Sequence, residues 1–318
     1  MTSAHHIPHI SEADLLSFGI KAQDIIGIVE HLIRGSQSHQ VWSAPKAVIN
    51  PPDGRYIMAT LAAMDDPPLV ATKSLVLNEE NLDVGLPQIN SLVTLLHGVT
   101  GIPLATIDGN WITAVRTAGL SAVAAKYMAN GDASSIGFVG TGVQARSHLP
   151  IFKDMFPLQG IKVFGRGRKN IDVLCEAADA LGLTAEVVDT AQDAVQGVDL
   201  VVTSVTHTGV TGSFLDADWL SPGCFLSSVD LGLPWHTDSF AGLDRLVIDD
   251  LAQEEALPNK LANPADVDGD LSGLISDQIT GRTNANDRTA FVFRGHALGD
   301  LALSALAYQK FQENLDKA

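Results

Sequence analysis

What this chain has little of narrows it first. Its 318 residues include two cysteines, Cys175 and Cys224, too few for a disulfide framework and without metal-ligand spacing. Both read as small buried residues. No apolar run reaches the roughly 20 residues that a membrane-spanning helix needs. The opening stretch Met1-Thr2-Ser3-Ala4-His5-His6-Ile7-Pro8-His9 has neither a basic n-region nor an apolar h-region, so a cytoplasmic protein is expected. His5, His6 and His9 read as a polar terminus, and no metal is expected. Positive charge is scarce: 20 Lys and Arg stand against 37 Asp and Glu, a net charge of −17. That balance disfavours nucleic acid and anionic membranes as partners. H-E-x-x-H, G-x-S-x-G and the P-loop are absent, and with them the simplest cases for a metallopeptidase, a serine hydrolase and a nucleoside triphosphatase.

What is present is an ordinary globular composition, 46% hydrophobic and 18% charged, at a length that favours two domains. The stretch that organises the rest runs from Ser134 to Arg146. It reads as a short buried strand, Ile136 to Val139, then a glycine turn, then a helix. Its spacing is G-x-G-x-x-A, from Gly140 and Gly142 to Ala145. The first glycine permits a tight turn, the second a close approach of backbone to a pyrophosphate, and the small third residue close packing of helix on strand. Gly140, Thr141, Gly142, Val143 and Gln144 are therefore candidate cofactor-binding residues, with the helix N-terminus as the anion site. Strands at 160–164, 184–188, 198–205, 223–229 and 245–248 alternate with helical stretches at 170–181 and 191–196. That alternation predicts right-handed βαβ crossovers and a parallel sheet.

A ribose-binding acid is expected about 20 residues past the glycines. The chain instead reads Phe164-Gly165-Arg166-Gly167-Arg168-Lys169-Asn170. With no acid and three cations, Arg166 and Arg168 become candidates for a 2′-phosphate, favouring NADP(H) with NAD(H) still possible. A solvated basic turn is the other interpretation.

The leading part differs. Residues 11–31 read as one helix capped by Ser11. Residues 47–107 read as antiparallel strands, with a Pro51–Gly54 turn and a hairpin around 97–101. Over residues 110–128 a β-rich segment runs into an alanine-rich connecting helix with Arg116 at the junction, where a bidentate donor and free N–H groups together could grip a carboxylate. A structural salt bridge is the equal alternative.

Arg116-Thr117-Ala118, the small-residue helix and the Gly140 turn resemble the ornithine cyclodeaminase/μ-crystallin family. So do Thr72-Lys73-Ser74, Pro103-Leu104-Ala105, the run from Asp199 to Thr206, and Gly295 to Leu301. The resemblance implies an α/β fold: a Rossmann-type nucleotide-binding domain over 119–294, plus an α+β substrate-binding and dimerisation domain over 1–118 completed by 295–318. It adds Thr206 to the cofactor-binding residues. It implies that Lys46, Lys73 and Arg116 hold a substrate carboxylate, with Lys73 exchanging protons. Lys46 stands where the family usually has Arg, so its contact is not two-pronged. The family commonly carries Val-Gly-x-Asp-x-Pro after the fifth strand of the nucleotide domain, and that Asp handles the substrate nitrogen. Here Gly232 takes its place in Val229-Asp230-Leu231-Gly232-Leu233-Pro234, and Asp230 either serves from two residues earlier or forms a turn.

The expected function is NAD(P)H-dependent reduction of a small α-imino acid by a homodimer. A cyclodeaminase using bound NAD and a non-catalytic NADPH-binding protein remain alternatives.

Overall fold

The computed structural model describes residues 6–206 and 212–317. His5, part of the polar terminus read above, lies outside them. The chain divides into two compact units, 1–116 with 296–318, and 117–295.

The first unit is built on a seven-stranded sheet of β1 (His9–Ile10), β2 (Val41–Ser43), β3 (Ala47–Ile49), β4 (Tyr56–Asp65), β5 (Pro68–Leu77), β6 (Ile89–His97) and β7 (Pro103–Asp108). The order is β1-β7-β6-β5-β4-β2, with β3 also on β4. Only β1–β7 is parallel; the other pairs are antiparallel. Alternation decides the faces. Met58, Thr60, Ala62 and Met64 of β4, with Leu69, Ala71, Lys73 and Leu75 of β5, are buried. The helix Ala297–Leu315 packs against both strands, and Ala22–Gln37 packs against that helix.

The single helix read over 11–31 is in fact two, Glu12–Ser17 and Ala22–Gln37. Ser11 caps the first, with Asp14 completing a capping box. The chain then breaks at Gly19, where φ is +63°, and the Asp24 carboxylate accepts from the Lys21 N–H to start the second.

The second unit is an eight-stranded, wholly parallel sheet of β8 (Ser135–Val139), β9 (Gly160–Phe164), β10 (Thr184–Val187), β11 (Leu200–Thr203), β12 (Phe225–Ser228), β13 (Arg245–Ile248), β14 (Gly269–Asp270) and β15 (Thr289–Val292). The order is β10-β9-β8-β11-β12-β15-β13-β14. From β8 the chain winds one way through β9 and β10, then returns to β11 and winds the other. This is the Rossmann-type reversal, and ligands bind at the carboxyl ends of the strands at that point. β14 and β15 were not read from the sequence; β15 enters between β12 and β13.

The helix Gly109–Met128 begins in the first unit, and from Thr117 onward its residues belong to the second. It is buried almost throughout and lacks a polar face, as a core helix does. No helix among the described residues is long and apolar enough to cross a membrane.

Candidate active site

In the first unit, register places three of the relevant side chains. Thr60 of β4 pairs with Lys73 of β5. The Ala44 N–H donates to Leu61 O, and Ala47 pairs with Ala59, so Lys46 passes beside Thr60. Lys73 Nζ donates to Asp300 Oδ1 at 2.6 Å, and Thr60 Oγ1 donates to Asp300 Oδ2 at 2.9 Å. Arg116 Nε stands 3.2 Å from Asp300 Oδ1, yet it makes no hydrogen bond. The angle is wrong for one.

All four residues are buried. The Lys73 side chain is wholly covered, while a tenth of the Arg116 side chain is exposed. A ligand therefore meets Arg116 before Lys73. Burial lowers the proton affinity of Lys73; Asp300 opposes that and Arg116 reinforces it, leaving the ammonium at about 8. Burial alone would raise the Asp300 carboxyl, but Lys73 and Arg116 outweigh it and hold it below the ordinary carboxylate range.

Asp300 and Thr60 were not singled out in the sequence. The signal was there: Asp300 is the one ionisable residue in the apolar stretch from Ala297 to Ala307. A lone carboxylate in a buried helix requires a cation. Arg116, in turn, is not at a helix start. It is the eighth residue of Gly109–Met128, about two turns in, so the N-terminal N–H groups do not assist it. Asp108 accepts from the Trp111 N–H at that end instead.

In the second unit, Gly140 ends β8 with φ +95°. A Cβ there would lie 2.5 Å from Ser204 O, so only glycine lets the turn pack on the chain leaving β11. The Thr141 side chain is buried against Gly165, and Arg146 Nη1 donates to Thr141 O. Gly142 caps the helix Val143–Met155 with no side-chain acceptor, and the space around its Cα is open. Val143 is exposed, and Gln144 carries a buried Oε1 without a hydrogen-bond partner. An uncapped helix N-terminus, open space and an orphaned polar atom fit a pyrophosphate-bearing cofactor. Behind it, Ser227 Oγ donates to Ser121 Oγ, Ser121 Oγ meets His148 Nε2 at 2.8 Å, and His148 Nδ1 meets Gln144 O at 2.7 Å. Burial pushes His148 down to about 4, so this brace is neutral.

Arg166, Arg168 and Lys169 are exposed at the start of Arg168–Ala180. Arg168 Nε pairs with Asp172 at 2.8 Å; the pair is largely exposed. Thr206 lies three residues past the end of β11, ahead of the undescribed 207–211. Cys224 is buried, but Cys175 is only half-buried. Among the described residues no group of three or more His, Cys, Asp or Glu could hold a metal.

Asp230 is buried just past β12. Its Oδ1 accepts from Ser228 and Thr203, and its Oδ2 from the Val205 N–H. With both oxygens engaged inside the unit, it ties the end of β12 to the chain leaving β11. The two readings of Asp230 from the sequence were a group serving the substrate nitrogen and a turn-forming residue. At Gly232 φ is +70°, and a Cβ would come within 3.3 Å of Leu261 O and Val292 Cγ1. Leu231 also has a positive φ, +62°.

A family model described as "Ornithine cyclodeaminase/mu-crystallin family" matches residues 13–314. The ketimine reductase mu-crystallin of Mus musculus is 28% identical over 259 residues, covering 80% of each chain. A solved Δ1-pyrroline-2-carboxylate reductase of Thermococcus litoralis, in complex with NADH and L-proline, is 24% identical. It superposes with a TM-score of 0.87 over 97% of this chain and 98% of its own. A lysine cyclodeaminase solved for its recognition of L-lysine, L-ornithine and L-2,4-diaminobutyric acid is 19% identical. Its TM-score is 0.81 over 97% of this chain and 93% of its own. These two share the fold.

Proposed function

The chain belongs to the ornithine cyclodeaminase/mu-crystallin family, and from that premise we propose that it is an NAD(P)H-dependent reductase of small α-imino acids. It converts C=N to an L-amino acid and runs reversibly as an amino-acid dehydrogenase. An NAD(P)-dependent imine reductase or cyclodeaminase is what its relatives support in general. The choice of reductase rests on Gly232. Cyclodeamination needs an acid to manage a second amine on the substrate, and at this position a side chain would meet a left-handed backbone and tight contacts with Leu261 O and Val292. Reduction of an imine asks less.

The observation that carries the reading is the buried pair Lys73 and Arg116 with, among the described residues, one carboxylate, Asp300, paired to both. Two cations against one anion leave a positive site that a substrate carboxylate complements. Arg116, the more exposed of the two, binds that carboxylate, and Lys46 adds charge from beside Thr60. A fixed carboxylate orients the neighbouring carbon. The cofactor, held by the N–H groups after Gly140, supplies a hydride from its reduced ring. A substrate that binds as the protonated imine becomes a neutral amine on accepting hydride and takes its last proton from water. Lys73 then serves through its charge, and Asp230 by shaping the strand-end loops.

NADP(H) is the proposed cofactor, with NAD(H) second. Arg166, Arg168 and Lys169 gather at a helix N-terminus, where the dipole already disfavours cations, and a 2′-phosphate would offset that cost. Two copies are proposed to pair through the open face of the first sheet, where Leu61, Val76 and Leu92 are exposed. A cytoplasmic location is proposed with them.

Replacing Arg116 with Ala lowers kcat/KM for an imine of a 2-oxo acid and methylamine on the order of 100-fold, mostly through KM. An unchanged kcat/KM removes Arg116 from the site. The reductase consumes reduced cofactor stoichiometrically; turnover with no net change in reduced-nicotinamide absorbance would instead identify a cyclodeaminase.

A further inference from the structure

The arrangement of Asp300 between two unequal partners assigns it a task in the proposed site. We infer that Asp300 is a positioning residue whose capture by Lys73 keeps the Arg116 guanidinium uncommitted and available to a substrate carboxylate. The inference rests on the function proposed above and deepens it.

The geometry is asymmetric. Lys73 Nζ takes Asp300 Oδ1 at 2.6 Å, and Thr60 holds Oδ2 at 2.9 Å. The same Oδ1 is 3.2 Å from Arg116 Nε, but without a hydrogen bond. Arg116 thus gains a neighbouring negative charge while its planar fork is left unmatched. A carboxylate and a guanidinium otherwise form a two-pronged pair, the strongest arrangement open to them. Lys73 and Thr60 prevent it by pinning one oxygen each.

Remove the charge on Lys73 and the balance changes. Asp300 is then a buried carboxylate whose one adjacent full cation is Arg116, and closing on it satisfies both. The guanidinium is occupied from within, and an incoming carboxylate must displace Asp300. The charged and titratable groups on the surrounding elements are few. Arg116 comes from the helix Gly109–Met128. Asp300 comes from the helix Ala297–Leu315, and His296, one turn earlier, is its N-cap. Lys46 lies beside Thr60, and β6 offers only Val93 opposite Lys73. His296 Nδ1 accepts from the Leu298 N–H. Loss of the Lys73 proton above about pH 8 therefore has the same effect as removing its amine: carboxylate binding weakens while the chemistry of bound substrate does not.

The test is a rescue. Lys73→Met raises KM for the imino acid, and Kd for the flat analogue pyrrole-2-carboxylate, by tenfold or more with a smaller change in kcat. Adding Asp300→Asn to Lys73→Met restores KM and Kd to within about threefold of the wild type, because the competitor for Arg116 is gone. The double variant removes one charge of each sign and leaves the buried net charge unchanged. In the wild type KM rises as pH passes about 8, and in the double variant it does not. A double variant as weak as Lys73→Met overturns the inference, as does a wild-type KM that is flat from pH 7 to 9.5.

A crystal structure of Lys73→Met supplies a readout that needs no activity. Asp300 is expected on Arg116 with both oxygens; Asp300 still on Thr60, with Arg116 unmoved, overturns the inference even if the enzyme reduces imines well. Conversely, Asp300 closed on Arg116 in a protein that reduces no imine sinks the proposed function and leaves the inference standing.

Discussion

The two units each bury a carboxylate completely, and they treat it in opposite ways. Asp300 lies against Lys73 and Arg116, and its proton affinity is lowered although burial pulls the other way. Asp230 is just as buried but is met only by two hydroxyls and an N–H, and burial prevails: its proton affinity is raised. Desolvation is common to both, so the cations account for the difference. Hydrogen bonds alone do not offset the effect of burial here. The first unit thus holds a committed anion that sets the charge of its neighbours. The second holds a carboxyl that braces a loop and tolerates a proton.

The comparison breaks most readily at these two residues. Asp300→Ala leaves Lys73 and Arg116 facing each other unscreened in a buried site, and should cost about 3 kcal/mol or more at pH 7. Asp230→Asn keeps the shape, and the Thr203 and Ser228 hydroxyls can turn to accept, so its cost should stay within about 1 kcal/mol. The signs with pH are opposite. Asp300, depressed, contributes stability that is present above the ordinary carboxylate value and lost as pH falls through its folded value. Asp230, raised, contributes stability that is present below the ordinary value and lost as pH rises through its folded value. Urea unfolding from pH 3 to 7 should therefore show the Asp300→Ala deficit growing with pH and the Asp230→Asn deficit shrinking. Equal deficits with the same slope would falsify the contrast.

How much of this was legible in the sequence follows from the same physics. The parallel sheet was, because β8, β9 and β11 are apolar runs separated by helical periodicity, and Gly140 sits where only a glycine fits. The antiparallel strands were, from the Pro51–Gly54 turn and the hairpin around 97–101. β14 and β15 were not: two and four residues are too short to carry a period. The break at Gly19 was missed because apolar spacing continues on either side of it. In the site, Lys73 stood out only through a family resemblance, since nothing local distinguishes a buried lysine from a surface one, whereas Arg116 was already a candidate as a bidentate donor beside the connecting helix. Asp300 was within reach, as a carboxylate in an apolar helix. Its partners lie 227 positions away at Lys73 and 240 at Thr60, and no local pattern reports such a pairing.

Putting an acid back into the second unit sharpens the comparison further. Gly232→Asp places a side chain at φ +70° against Leu261 O and Val292. The left-handed backbone and the tight contacts together should cost about 1–3 kcal/mol. A lowered Tm with no gain in ornithine cyclodeamination is expected. A stable variant that acquires the activity would mean the loop retains the family's geometry after all, and the argument from Gly232 for a reductase would fail.

The smallest effect belongs to charge that is not buried. Arg166 is exposed, so water and salt screen what it contributes. It has no part in stability comparable to that of Arg116. Arg166→Ala should leave Tm unchanged and raise KM for NADPH by about tenfold or less, equivalent to roughly 1 kcal/mol. KM for NADH should not move, because without a 2′-phosphate there is nothing for the guanidinium to meet. The two cofactors measured side by side separate a phosphate contact from a general disturbance of the Gly165–Asn170 loop. Because Gly165 packs on Thr141 at the glycine turn, such a disturbance would weaken both cofactors alike. A parallel loss would thus return Arg166 to the solvated surface and take the preference for NADP(H) with it.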